Sequence, residues 1–270
     1  MDNKNNFDHP NDQIEVLKLG NKLKSNNISL EIIKECNLKY INNTIEYDVG
    51  HDVGHYIGYD IDTILNINDI GLTPLCLLCA NINISAEMLK FVKENSNADF
   101  DKYVMLKNKN KKYYISALTY LCQNANFSES MFEFVSDQSF APKDLIKHKK
   151  HSPIFSLCAN KNVTITMLKI INESGNELFQ KSPIIENTTS FDLLFSNESI
   201  DLNIVKYIFD NYELQILFNK SAIIKLLSNP KINFKILSYL CDNYQRIVLD
   251  NFIIILMNPK IIQLNLKSMS

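Results

Sequence analysis

The chain has 270 residues, 28 of them basic and 30 acidic, a formal charge of -2, and 46% hydrophobic side chains. This balance excludes wholesale disorder and a fibrous protein, and it leaves apolar material for a sizeable core in one domain or two. Only Arg246 among the basic residues is arginine. Without guanidinium forks the composition weighs against dedicated phosphate or nucleic-acid recognition. Gly and Pro are scarce, at 6 and 7, which favours helices over sheets and tight turns.

The N-terminus, MDNKNNFDHPNDQ, is polar and has no apolar run of the kind a secretory signal needs. The longest apolar stretch, Phe252 to Met257, is too short to cross a bilayer. The expectation is therefore a soluble, intracellular, cytoplasmic protein with no membrane partner. In that setting the six cysteines (Cys36, Cys76, Cys79, Cys122, Cys158 and Cys241) read as free thiols in the core.

A repeat organises most of the chain. TPLCLLCANINISAEMLKFV from Thr73, SALTYLCQNANFSESMFEFV from Ser116 and SPIFSLCANKNVTITMLKII from Ser152 align, each with a hydroxyl residue eight positions before an Asn. The frame continues as Thr189 with Asn197, Ser221 with Asn229, and Asp250 with Asn258, and a weaker copy precedes it around Leu23 to Ile33. The copy number is six or seven. Each unit predicts a short inner helix after the hydroxyl residue, ending at the Asn, where a left-handed backbone would suit that residue. Four residues later Ser85, Ser128, Thr164, Asp201 and Asn233 stand as N-caps of a second helix, while the last copy has Ile262 there. Such hairpins are stable only when stacked on neighbours. The fold class expected is all-α, an α-solenoid of stacked helix-turn-helix repeats. Residues 1–70 hold a degenerate copy and an irregular segment, 71–249 about five repeats, and 250–270 a truncated last copy that leaves Phe252 to Met257 with little cover.

At Asn68, Asp69, Gly71, Thr73, Pro74 and Leu75, followed by Met88 to Val92 and by Asn97, Ala98 and Asp99, the sequence resembles the ankyrin repeat. It is similar to the divergent Asn-, Lys- and Ile-rich arrays seen in protists and large DNA viruses. The resemblance is good from about Thr73 to Ile171 and fair to about Asp242. Cys76 replaces the family's histidine, and the loop between helices is about two residues longer. The resemblance implies a non-catalytic protein-protein interaction scaffold, in which hairpin tips project toward a partner.

Four features carry candidate chemistry. Cys76 and Cys79 form a CxxC, but no second ligand pair follows, and Cys79, Cys122 and Cys158 share one repeat position that calls for a small buried residue. The segment from Asp48 to Asp62 places His51 and His55 beside Asp48 and Asp52, which could hold a metal. Three glycines in nine residues oppose a helix there, so an irregular loop or degenerate copy is the other reading. Lys107, Lys109, Lys111 and Lys112 lie between the second and third copies. Lys143, Lys147, Lys149 and Lys150, with His148 and His151, lie between the third and fourth. Both clusters fall where finger tips belong, and Glu46, Asp48, Asp52, Asp60, Asp62 and Asp69 make the preceding region acidic. They are solvated loops or a docking surface for a protein with an acidic patch. The docking assignment falls on Lys107, Lys109, Lys111, Lys112, Lys147, Lys149 and Lys150. No catalytic motif is present, so the expectation is a protein that is no enzyme and needs no cofactor.

Overall fold

A long helix and a short one begin the described chain: α1 (Pro10–Lys24) and α2 (Leu30–Lys34), the second capped by Ser29, which accepts the Ile32 N–H. The structure, a computed structural model, describes residues 10–43, 72–100, 102–108, 111–136, 153–173, 188–217 and 219–258. The chain divides into two units, residues 1–140 and 141–270. Unit 1 continues with a 3-10 turn at Leu38–Tyr40, α3 (Pro74–Ala80), α4 (Ala86–Asn95), β1 (Tyr103–Asn108), β2 (Lys111–Ser116), α5 (Ala117–Gln123) and α6 (Glu129–Ser136). Unit 2 contains α7 (Pro153–Ala159), α8 (Ile165–Glu173), α9 (Ser190–Ser196) and α10 (Leu202–Leu217). It goes on through α11 (Lys220–Ser228), α12 (Phe234–Asn243), α13 (Gln245–Asp250) and α14 (Phe252–Met257). The described residues are mostly helical.

The inner helices begin as the sequence predicts where a hydroxyl precedes them. Thr73 accepts the Cys76 N–H with Pro74 in the first turn, and Ser116 accepts the Thr119 N–H. Thr189 and Asp192 form a reciprocal capping box. The later copies differ. α11 is capped by Asn219, so Ser221 lies inside the helix, and Asp250 ends α13 while α14 has no side-chain cap. Helices of seven residues are unstable alone, and burial holds them: Leu75, Cys76, Leu77, Leu78 and Cys79 are all buried. Within unit 1, α3 packs on α1 and α5 on α3. Within unit 2, α7, α9, α11 and α14 pack in series.

All five predicted outer-helix caps form. Ser85, Ser128, Thr164, Asp201 and Asn233 accept the N–H of Met88, Met131, Met167, Ile204 and Ile236. The outer helices make second rows, α2 with α4 with α6, and α8 with α10 with α12. α10 is interrupted at Tyr212, where φ is -135° and ψ 27°.

The repeated asparagines do not take the left-handed backbone expected of them. Asn81, Asn124, Asn197, Asn229 and Asn258 have φ between -63° and -70° and ψ between 121° and 138°, an extended backbone. Their side chains explain them instead. The Asn124 amide donates to the carbonyls of Cys79 and Asn81 at 3.0 and 2.8 Å, and Asn197 donates to Cys158 and Asn160 at 2.9 and 2.8 Å. Asn229 donates to Phe195 and Asn197, and Asn258 to Leu227 and Asn229. Asn81 reaches Leu23 and Ser25 in the same way. The carboxamide oxygen meanwhile accepts the N–H two residues on, as from Asn83, Asn126, Ser199 and Lys231. A buried amide is tolerated only when its hydrogen bonds are made. Aspartate lacks the two donors that this rung uses.

One element departs from an all-α reading. β1 and β2 pair antiparallel from Tyr103 opposite Ser116 to Asn108 opposite Lys111. The paired Val104 and Ile115 are buried at its base, and the Leu118 N–H donates to the Phe100 carbonyl where α5 begins.

Candidate functional site

The candidate site lies in unit 1, at the hairpin and at the turns beneath it. Alternation along a strand puts the buried Val104 and Ile115 on the packed face and the exposed Met105 on the other. Lys107 stands directly opposite Lys112, and Asn108 opposite Lys111. Three of the predicted site lysines are thus brought to two adjacent rungs. Lys109 falls outside the described residues, as do Lys147, Lys149 and Lys150 with their neighbours Lys143, His148 and His151. The His51 and His55 segment, with Asp48 and Asp52, is outside them too.

Asn42 ties the first copy to the foot of the hairpin. Its side-chain amide donates to the Asn97 carbonyl, its side-chain oxygen accepts the Asp99 N–H at 3.1 Å, and its backbone carbonyl accepts the Lys102 ammonium at 3.2 Å. Asp99 in turn accepts the Lys102 N–H. This network fixes the residues on which β1 starts.

Beside it opens a cleft of about 470 Å³ between the C-terminal ends of α2 and α4, lined among others by Lys34, Cys36, Lys39, Phe91 and Asn97. Lys39 lies 5.0 Å from the Tyr40 ring centre. The Tyr40 hydroxyl donates to Asp12 at 2.6 Å, and that bond chiefly raises its pKa. Burial pushes the Cys36 thiol up, and its S–H donates to the Ile32 carbonyl. A neutral thiol is a poor nucleophile. Sequence reasoning missed this cleft because Lys34 and Lys39 sit in the weak first copy, where no motif marks them. It also missed the hairpin, although Tyr103 to Leu106 and Tyr113 to Ile115 carry a strand-like composition.

The cysteine expectation holds for four of six residues. Cys76, Cys79, Cys122 and Cys158 are buried, Cys36 is intermediate and Cys241 exposed. The Thr73 hydroxyl donates to the Cys76 sulfur at 3.3 Å. Burial pushes the Cys79 thiol well above its ordinary value, with Cys76 and Cys122 adding to the shift. Among the described residues no group of three or more His, Cys, Asp or Glu could hold a metal ion, and no helix is long and apolar enough to cross a membrane.

These features define a mostly helical protein of paired helices joined by buried asparagine rungs, with a lysine-bearing hairpin. Comparison with protein-family models and with curated proteins finds no match to the chain.

Proposed function

We propose that the chain is a non-catalytic protein-protein interaction scaffold, an α-solenoid of ankyrin-like repeats that presents basic positions to a protein with an acidic patch. The observation that carries this reading is the hairpin register, which gathers Lys107, Lys111 and Lys112 on two neighbouring rungs at the end of a packed ribbon. Like charges directly opposed on a ribbon weaken it, so such a pairing is better explained by a use outside the fold than by stability. The asparagine rungs support the scaffold half of the reading, because they make each helix pair a platform for the next.

The test starts from affinity purification in the native cell, followed by association kinetics with the captured protein. Lys107→Glu with Lys112→Glu slows association by about tenfold or more at low salt and flattens its salt dependence. An association rate unchanged by both substitutions removes the hairpin from the binding site.

A further inference from the structure

We propose that two copies of this chain meet tail to tail through the exposed face of α14. The inference goes beyond the scaffold reading and rests on a comparison of equivalent rungs. The position two residues before each rung asparagine is held by Cys79, Cys158, Phe195 and Leu227 where a following inner helix packs on it within the same unit, and each of these is fully buried. In the last described rung that position is Leu256, which is 48% exposed. Ile253 and Met257 on the same helix are each 73% exposed, and Leu249 of the adjoining α13 is 63% exposed. The end of unit 2 therefore displays the kind of apolar surface that the preceding rungs bury under their neighbour.

The occupant follows from the other rungs and from charge. Extension head to tail needs a carboxamide donor from the first copy of a second chain. That position is Ser25, whose hydroxyl accepts the Asn27 N–H as the asparagine oxygens do for their own neighbours, but which has no amide to donate backward. From that side Ser25 offers no carboxamide with which to make the rung. The α14 face, by contrast, suits itself. Phe252–Met257 has no charged residue, so two copies meet without repulsion. At the edge, Arg246 and Asp250 lie 3.8 Å apart and both are exposed, offering both signs of charge. A two-fold axis can place each against its opposite in the partner copy.

Sedimentation velocity on the full chain from about 1 to about 100 µM, with hydrogen exchange at both ends of the range, tests this. The expected result is a monomer-dimer equilibrium with exchange slowed over residues 249–258 at the higher concentration. Ile253→Asp with Leu256→Asp weakens that dimer by about tenfold or more, while the far-ultraviolet circular dichroism is unchanged because both sites are solvent-facing. Ile253→Asp alone, at the more exposed site, weakens it in the same direction and guards against misfolding of the double variant. A chain that is monomeric throughout overturns the proposal, whether residues 249–258 exchange freely or are protected at every concentration by the chain's own remainder. A dimer that survives the substitutions, or is protected elsewhere, overturns it too.

Discussion

Asn229 reaches back to Asn197 and donates one N–H to its carbonyl at 2.9 Å, while the second N–H meets the Phe195 carbonyl at 2.7 Å. The same Asn197 carbonyl accepts the Ile200 N–H within its own copy. One backbone oxygen thus serves a turn inside one copy and a rung to the next, so the turn and the stacking hold each other in place.

Truncating that side chain leaves two buried carbonyls short of a donor. Asn229→Ala destabilises the fold by about 2 to 3 kcal/mol, read from urea unfolding. Asn229→Asp costs more at neutral pH, because an ionised carboxylate faces carbonyl oxygens and has no proton to give. Its protonated form can donate once, so its folded pKa rises above the ordinary carboxyl value. The deficit is therefore full at neutral pH and shrinks as pH falls through that raised folded value. A variant whose deficit from the native protein is flat from neutral pH into the acid range contradicts the rung geometry.

The buried thiols give a second pH signature. Burial holds the folded Cys79 thiol well above the ordinary pKa of a cysteine. A raised folded value means that the stability tied to the neutral thiol is fully present below the unfolded pKa, and is lost as pH rises from there toward the folded value. Native stability should fall above about pH 9 more steeply than that of Cys79→Ala. In a thiol-labelling assay at neutral pH, Cys241 reacts at once and Cys79, Cys122 and Cys158 react only on unfolding, as their burial requires.

The helix caps predict smaller and separable losses. Ser85→Ala removes the acceptor for the Met88 N–H and costs about 1 kcal/mol. Thr189 and Asn219 are linked, because Asn219 caps α11 through the Ala222 N–H and donates its amide to the Thr189 hydroxyl at 2.9 Å. A double-mutant cycle with alanine at both sites gives a coupling of about 0.5 kcal/mol or more; simple additivity would mean the two caps act independently.

The hairpin predicts an effect of opposite sign. Lys112→Glu places an opposite charge across from Lys107 and stabilises the ribbon by about 0.2 to 1 kcal/mol. Adding Lys107→Glu restores a like-charged rung and cancels the gain, and high salt shrinks both changes. Equal urea midpoints for all three proteins at low salt would show that this rung makes no difference to stability.

Much of the architecture was legible because it is local. A hydroxyl followed by an apolar run, and a Ser, Thr, Asp or Asn four residues after each rung asparagine, specify caps that need only neighbouring backbone, and the five predicted outer caps formed. Asn219 escaped notice because it caps from two residues before the expected frame. The hairpin escaped because Tyr103 to Leu106 and Tyr113 to Ile115 are short, and strand pairing depends on a partner that no single run reveals. Of the candidate site, the sequence marked lysines at 107, 111 and 112 as a cluster. That Lys107 opposes Lys112, and that Lys34 and Lys39 border a cleft at the ends of α2 and α4, is decided only when the chain has folded.

The sequence by itself determined the period of the chain, the starts of most helices and the placing of an Asn at the end of each inner helix. Only the tertiary structure decided what that Asn is for. Its conformation is an ordinary extended one that many residues adopt. Its partners are carbonyls 29 to 58 residues earlier in the chain, such as Asn229 for Asn258 and Leu23 for Asn81. A donor's identity can be read from one residue, but its acceptor exists only when another copy has packed beside it.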